Sequence, residues 1–140
     1  MTKPTIKDIL FWLFSLYFTI LFVDQGWKKF DPEGFWSGAF ERWGYPTWFM
    51  FFIGFLEVAG GIIILFPRVN GYGALTLAAV MLGAFITRLI HGMSISDGVS
   101  IAFYLVAMTL LAYEKGTFDK ISTMLKKAKT GKLNRTHSSN

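Results

Sequence analysis

The segment PTWFMFFIGFLEVAGGIIILFP, residues 46–67, decides how the whole chain is read. Between its two prolines stand twenty residues whose only charged side chain is Glu57, and a helix of about 20 residues crosses a hydrocarbon core of about 30 Å. A carboxylate at that depth costs free energy unless it is neutral, paired or facing a wet cavity, which makes Glu57 a candidate functional residue. The alternative is a packing role, in which the acid hydrogen-bonds a neighbouring helix and holds the bundle together.

Composition agrees with a membrane setting. Hydrophobic residues make up 53%, aromatics 18% and charged residues 16% of the chain, whereas soluble domains carry about 25% charged residues. Four uncharged runs can be drawn: 9–23, 45–56 continued by 58–66, 69–87, and 98–113. The first and last are short for a span, so their helices are expected to extend into polar flanks, with Asp24, Gln25 and Lys28 on the last turns of the first helix. That run exits through Leu21-Phe22-Val23-Asp24-Gln25-Gly26-Trp27 without a small-x-small pattern, so it is read as a transmembrane helix and not as a cleaved signal peptide. The expected fold is all-α, a four-transmembrane-helix bundle. There is no cysteine, which excludes disulfides, thiolate metal sites and thiol redox chemistry within this chain. A redox role would need a bound cofactor or a partner.

Between the first two spans, Phe35, Trp36, Ala39, Phe40 and Trp43 recur at helical spacing while Glu33, Ser37, Glu41 and Arg42 take the other faces. Asp31-Pro32-Glu33 supplies an expected cap, first-turn proline and early acid. A short amphipathic interfacial helix fits this pattern, anchored by its tryptophans and serving as a cover or a lid.

Lysine and arginine set the orientation. Four spans put Lys3, Lys7, Arg68, Lys115, Lys120, Lys126, Lys127, Lys129, Lys132 and Arg135 on one side, and Lys28, Lys29, Arg42 and Arg88 on the other. Both termini are therefore expected in the cytoplasm. The domain division expected is 1–116 for the membrane bundle and 117–140 for a basic tail, with 135–140 disordered. From Ser122 onward the tail has no aromatic residue, which speaks against a nucleic-acid surface. Its lysines suit anionic lipid headgroups.

Gly26-Trp27-Lys28-Lys29-Phe30, Gly44-Tyr45-Pro46, Gly54-Phe55-Leu56-Glu57-Val58-Ala59-Gly60-Gly61 and Ala78-Ala79-Val80-Met81-Leu82-Gly83-Ala84 occur in that order. Together they resemble the successive signatures of the DoxX family of small bacterial four-helix membrane proteins, over roughly residues 8–113. The resemblance implies a four-helix bundle in the bacterial cytoplasmic membrane. It also implies links to thiosulfate oxidation with quinone as acceptor, to membrane oxidoreductase assemblies and to maturation of partner enzymes. The thiol-dependent roles need cysteines that this chain lacks.

Glycines at 54, 60 and 61 strip bulk from the second span around Glu57, so another helix or a flat ligand can approach closely. The third span offers Gly71, Gly73, Ala74, Ala78 and Ala79 as facing partners. Arg88 and His91, three residues apart, share a helical face near the outer end of that span. Helical rise puts Glu57 roughly 15 to 18 Å deep and Arg88 about 5 Å below the outer boundary, so a direct bridge needs the arginine to reach inward or a water between them. Four costly polar groups, Glu57, Arg88, His91 and Gln25, are therefore expected to line one ligand-binding cavity under the interfacial helix. Asp24, Ser94, Ser96 and Asp97 would complete the polar cluster, and Tyr45, Trp48, Phe52, Phe55 and Phe103 an apolar wall or route. Gly54, Gly61 and Phe85 would share the inward surface.

An acid with a histidine and an arginine suits proton-coupled handling of a quinone, since acid and imidazole exchange protons while the cation favours an anionic reduced state. Haem is disfavoured with a single intramembrane histidine, and no nucleotide loop, paired-histidine metal motif or nucleophile elbow is present. A transporter has little support from one membrane acid and no internal repeat. Two roles follow: an accessory or docking subunit for a membrane or periplasmic oxidoreductase, or a quinone or small-molecule binding protein whose pocket surrounds Glu57.

Overall fold

The computed structural model describes residues 3–114 and 117–137, and among them there are helices and no strand. Helix α1, Ile6–Trp27, continues into a single 3-10 turn, Lys28–Phe30. Then come α2 (Phe35–Arg42), α3 (Thr47–Ile63), α4 (Asn70–His91), α5 (Ile95–Glu114) and α6 (Thr117–His137). The first helix with its 3-10 turn, α4 and α5 are long and apolar enough to cross a membrane, and α3 is a shorter apolar helix. These four form the expected all-α membrane bundle, with α2 as the short helix between the first two spans.

The bundle runs α1 against α3, α3 against α4 and α4 against α5. Helices α1 and α5 meet through rings: Phe18 lies 6.5 Å from Phe103 and 6.0 Å from Tyr104, and Phe22 lies 6.2 Å from Tyr104. Phe18, Phe22, Ile64, Leu77 and Met108 form the centre of the core. Because lipid is as apolar as these side chains, association gains from close packing and satisfied polar groups. Glycine provides that closeness. A Cβ on Gly26 would stand 2.7 Å from the Gly54 carbonyl oxygen, and one on Gly54 would stand 2.8 Å from the Gly26 oxygen. Lower on the same seam the Thr19 hydroxyl donates to the Gly61 oxygen at 2.7 Å. Gly60 turns a second face of α3 to α4, where a Cβ on Gly73 would come within 2.8 Å of its oxygen.

Several boundaries differ from the sequence expectation. Asp31-Pro32-Glu33 does not cap α2; Gly34 precedes the helix, and the Asp31 carboxylate accepts from the Glu33 amide at 3.0 Å, forming a turn of its own. Helix α3 stops at Ile63 and tightens into turns, with Phe66 N–H bonded to Ile63 O at 3.0 Å, because Pro67 disfavours helical backbone at the residue before it. Helix α4 runs past Thr87 to His91 and ends at Gly92, whose φ of +90° is left-handed. The tail expected to be disordered from 135 is helical through His137, in keeping with its five lysines and other good helix formers. Residues 138–140, and residues 115 and 116 at the expected domain boundary, lie outside the described ones.

Gly54→Ala is expected to force α1 and α3 apart and lower stability by about 1–3 kcal/mol. Gly83→Ala, where a Cβ would meet nothing within 4 Å, is expected to be neutral or stabilising by up to about 1 kcal/mol. Thermal unfolding of both variants in detergent measures the difference.

Candidate functional site

Contact between Gly26 and Gly54 carries the 3-10 turn onto α3, so that the Lys29 Cβ would lie 3.0 Å from a Cβ on Gly54. From there the lysine reaches along α3 to Glu57, and its Nζ donates to Glu57 Oε2 at 2.6 Å. The two side chains are 5% and 4% exposed. Lys29 Nζ also stands 4.0 Å above the centre of the Trp36 ring of α2 and 3.4 Å from the Gln25 carbonyl oxygen. The adjacent Lys28 pairs with Asp24 at 2.6 Å, but both side chains are more than half exposed. An exposed pair of that kind contributes at most about 1 kcal/mol, whereas removing one partner of a buried pair strands a charge.

Beside the buried pair lies a cavity of about 830 Å³. Leu21, Phe22 and Gln25 of α1 line it with Lys29, and α3 contributes Phe49, Phe52, Ile53, Leu56 and Glu57. The α4 wall includes Ala79, Val80, Gly83 and Ala84, and α5 adds Ile101 and Tyr104. Trp36, Phe40, Trp43 and Tyr45 cover one end. Their placement follows from Gly44. At φ +76° it lets the Tyr45 N–H bond Phe40 O at 2.9 Å and its own N–H bond Glu41 O at 3.0 Å, the paired bonds of a Schellman helix end. Tyr45 is thereby folded back onto the bundle, where its hydroxyl is 3.0 Å from Thr87 Oγ1.

Arg88, next to Thr87, donates to Asp97 Oδ2 at 2.6 Å and places its guanidinium carbon 5.5 Å from the Trp43 ring centre. One cation thus ties α4, α5 and the segment after α2 together. His91 Nδ1 lies 2.8 Å from the Thr87 carbonyl oxygen, and its ring is 6.4 Å from Trp43.

Glu57, Arg88 and Gln25 therefore border one cavity, while His91 is exposed and stands outside its lining. Glu57 and Arg88 do not pair. Arg88 is held by Asp97 of α5 and Glu57 by Lys29 of the turn after α1, so each already has its counter-charge. Asp24 is taken by Lys28, and Ser94 and Ser96 bond each other at 3.2 Å. Of the aromatic residues expected, Tyr45 and Phe52 line the cavity; Trp48, Phe55 and Phe103 face outward. Gly54 and Gly61 are buried against α1, and Gly83 and Ala84 line the cavity in place of Phe85. Trp36 and Trp43 of the expected cover are among its wall residues, and Lys29 and Tyr104 are wall residues that the sequence reading passed over.

An apolar cavity with flat aromatic walls and a few convergent polar groups suits a flat ligand that accepts or donates a small number of hydrogen bonds. The Gln25 amide has no protein partner among the described residues and borders the cavity. No group of three metal-binding side chains occurs among the described residues.

Residues 13–112 match the model of the DoxX-like family. No curated protein and no solved structure matches the chain.

Lys29→Met or Glu57→Gln alone is expected to destabilise the bundle by about 3–5 kcal/mol, because each leaves the other partner buried without its counter-charge. The double variant Lys29→Met/Glu57→Met is expected to recover most of that loss. Denaturation in detergent of the three variants tests it; a double variant as unstable as the sum of the singles would reject the coupling.

Proposed function

The chain belongs to the DoxX-like family, and we propose that it is a multi-pass protein of the bacterial cytoplasmic membrane that binds a flat, quinone-like molecule beside Lys29 and Glu57. The observation that carries this reading is a fully buried ion pair on the wall of a cavity of about 830 Å³. A pair that served packing alone would need no such space next to it.

The chemistry follows from the donors present. A ligand carbonyl accepts from the Lys29 ammonium or the Gln25 amide, and the hydroxyl of its reduced form donates to the Glu57 carboxylate. The pair also offers a proton store within reach of those oxygens. Arg88, balanced by Asp97 and set against the Trp43 ring, orders the cover over the ligand. A quinone exchanges electrons with membrane oxidoreductases, so the docking role and the pocket are two parts of one function.

Four spans counted along the sequence leave ten basic residues on the side of the termini and four on the α2 side, which supports cytoplasmic termini with the α2 end outside. In that orientation the exposed lysines of α6 lie against anionic headgroups.

Saturable quenching of tryptophan fluorescence by decylubiquinone is the expected result for the purified protein, since Trp36 and Trp43 line the cavity. Gln25→Ala is expected to weaken it roughly tenfold, about 1.4 kcal/mol; absence of saturable quenching would refute the reading. In intact cells a membrane-impermeant thiol reagent is expected to label Glu41→Cys and to spare Thr130→Cys. The reverse pattern would invert the orientation.

A further inference from the structure

The cavity is closed where it approaches water and open where it faces lipid. At the α2 end, Phe40 is buried, the Tyr45 hydroxyl meets Thr87 at 3.0 Å, and Arg88 sits over Trp43 while bonded to Asp97. At the other end, the backbone contact of Gly60 with Gly73 shuts the seam between α3 and α4. Between these closures, Phe52, Ala79, Gly83 and Ile86 belong both to the cavity wall and to the protein surface. A Cβ on Gly83 would meet nothing within 4 Å.

The depth of this gap identifies what it faces. Phe52 is five residues into α3 and Gly83 is eight residues in from the end of α4, which places the gap about 8 to 12 Å inside the span by helical rise. A polar solute would have to cross hydrocarbon to reach it, whereas a ligand already dissolved in the bilayer meets it directly.

We infer that the cavity loads sideways from the bilayer and holds the flat head of a long-tailed neutral lipid, whose tail leaves between Phe52 and Gly83. This rests on the proposed pocket and adds the route and the ligand's shape. The head is neutral because the cavity's cations are balanced: Lys29 faces Glu57 and Arg88 faces Asp97, so an anionic head would leave an extra buried charge. The tail's exit is bordered by Phe52 on α3 and by Ala79 and Gly83 on α4, where the small side chains leave room for an alkyl or isoprenoid chain. A tail that stays in lipid incurs no desolvation.

The test compares decylubiquinone with its tail-less head, 2,3-dimethoxy-5-methyl-1,4-benzoquinone, on the full chain in lipid nanodiscs. Gly83→Trp is expected to weaken decylubiquinone roughly tenfold and to weaken the tail-less head several-fold less. The control Leu82→Trp, on an exposed neighbour outside the cavity lining, is expected to change neither. Equal decylubiquinone affinity in Gly83→Trp and wild type overturns the tail path while the head pocket stands; loss of both probes puts the indole in the head site and overturns it too. If wild type binds neither quinone, the pocket reading fails, and the side opening is judged by chemistry. The chain has no cysteine, so Gly83→Cys carries a unique thiol, expected to react faster with an alkyl maleimide in the bilayer than with a charged maleimide. Equal rates overturn lateral access.

Discussion

An ammonium and a carboxylate 2.6 Å apart, both withdrawn from solvent, hold three elements of this protein in one register. Lys29 comes from the turn that ends α1, Glu57 from α3, and the indole under the ammonium from α2. Either charge alone would cost several kcal/mol, so the elements are stable together and not separately. The glycine contact is the precondition. With a side chain at Gly26 or Gly54 the backbones would separate, and Lys29 would lose its reach to Glu57. Packing and electrostatics at this seam are therefore one constraint, and the cavity borders it.

The polar groups of the cavity form two separately paired sets and not one cluster. One is the buried pair, with Trp36 of the cover against its ammonium; the other is Arg88 with Asp97 and the neighbouring Tyr45–Thr87 contact. The first group is suited to touching a ligand, the second to fastening the cover. His91 belongs to the fastening end, against the Thr87 carbonyl and the Trp43 ring. This division explains why Arg88 needs no partner in Glu57.

Much of the fold could be read from residue order because membrane helices need long uncharged runs, and the four runs found there became α1, α3, α4 and α5. Glu57 stood out as an isolated acid, and the glycines around it marked the close seams. Lys29 reads in sequence only as one of the basic residues on the outer side of the membrane, with Lys28, Arg42 and Arg88, and not as a partner of Glu57. A finer signal was present: Ser15, Phe18, Thr19, Phe22, Gly26 and Lys29 are buried at steps of three and four, so the lysine continues the inward stripe while Lys28 does not. The aromatic wall was less readable. Trp48, Phe55 and Phe103 have the same chemistry as Phe49, Phe52 and Tyr104, and which of them face lipid depends on helix rotation fixed by the glycine contacts.

Helix α3, with 17 residues, is about 25 Å long by helical rise, some 5 Å less than a typical hydrocarbon core of about 30 Å. Its turns at either end are apolar but compact, so they do not restore the full length. Lipid next to this side of the protein must shorten its chains or tilt, at a fraction of a kcal/mol for each ångström of mismatch. On this face a thinner membrane matches α3 better than a thicker one, so the protein is expected to favour thinner membranes.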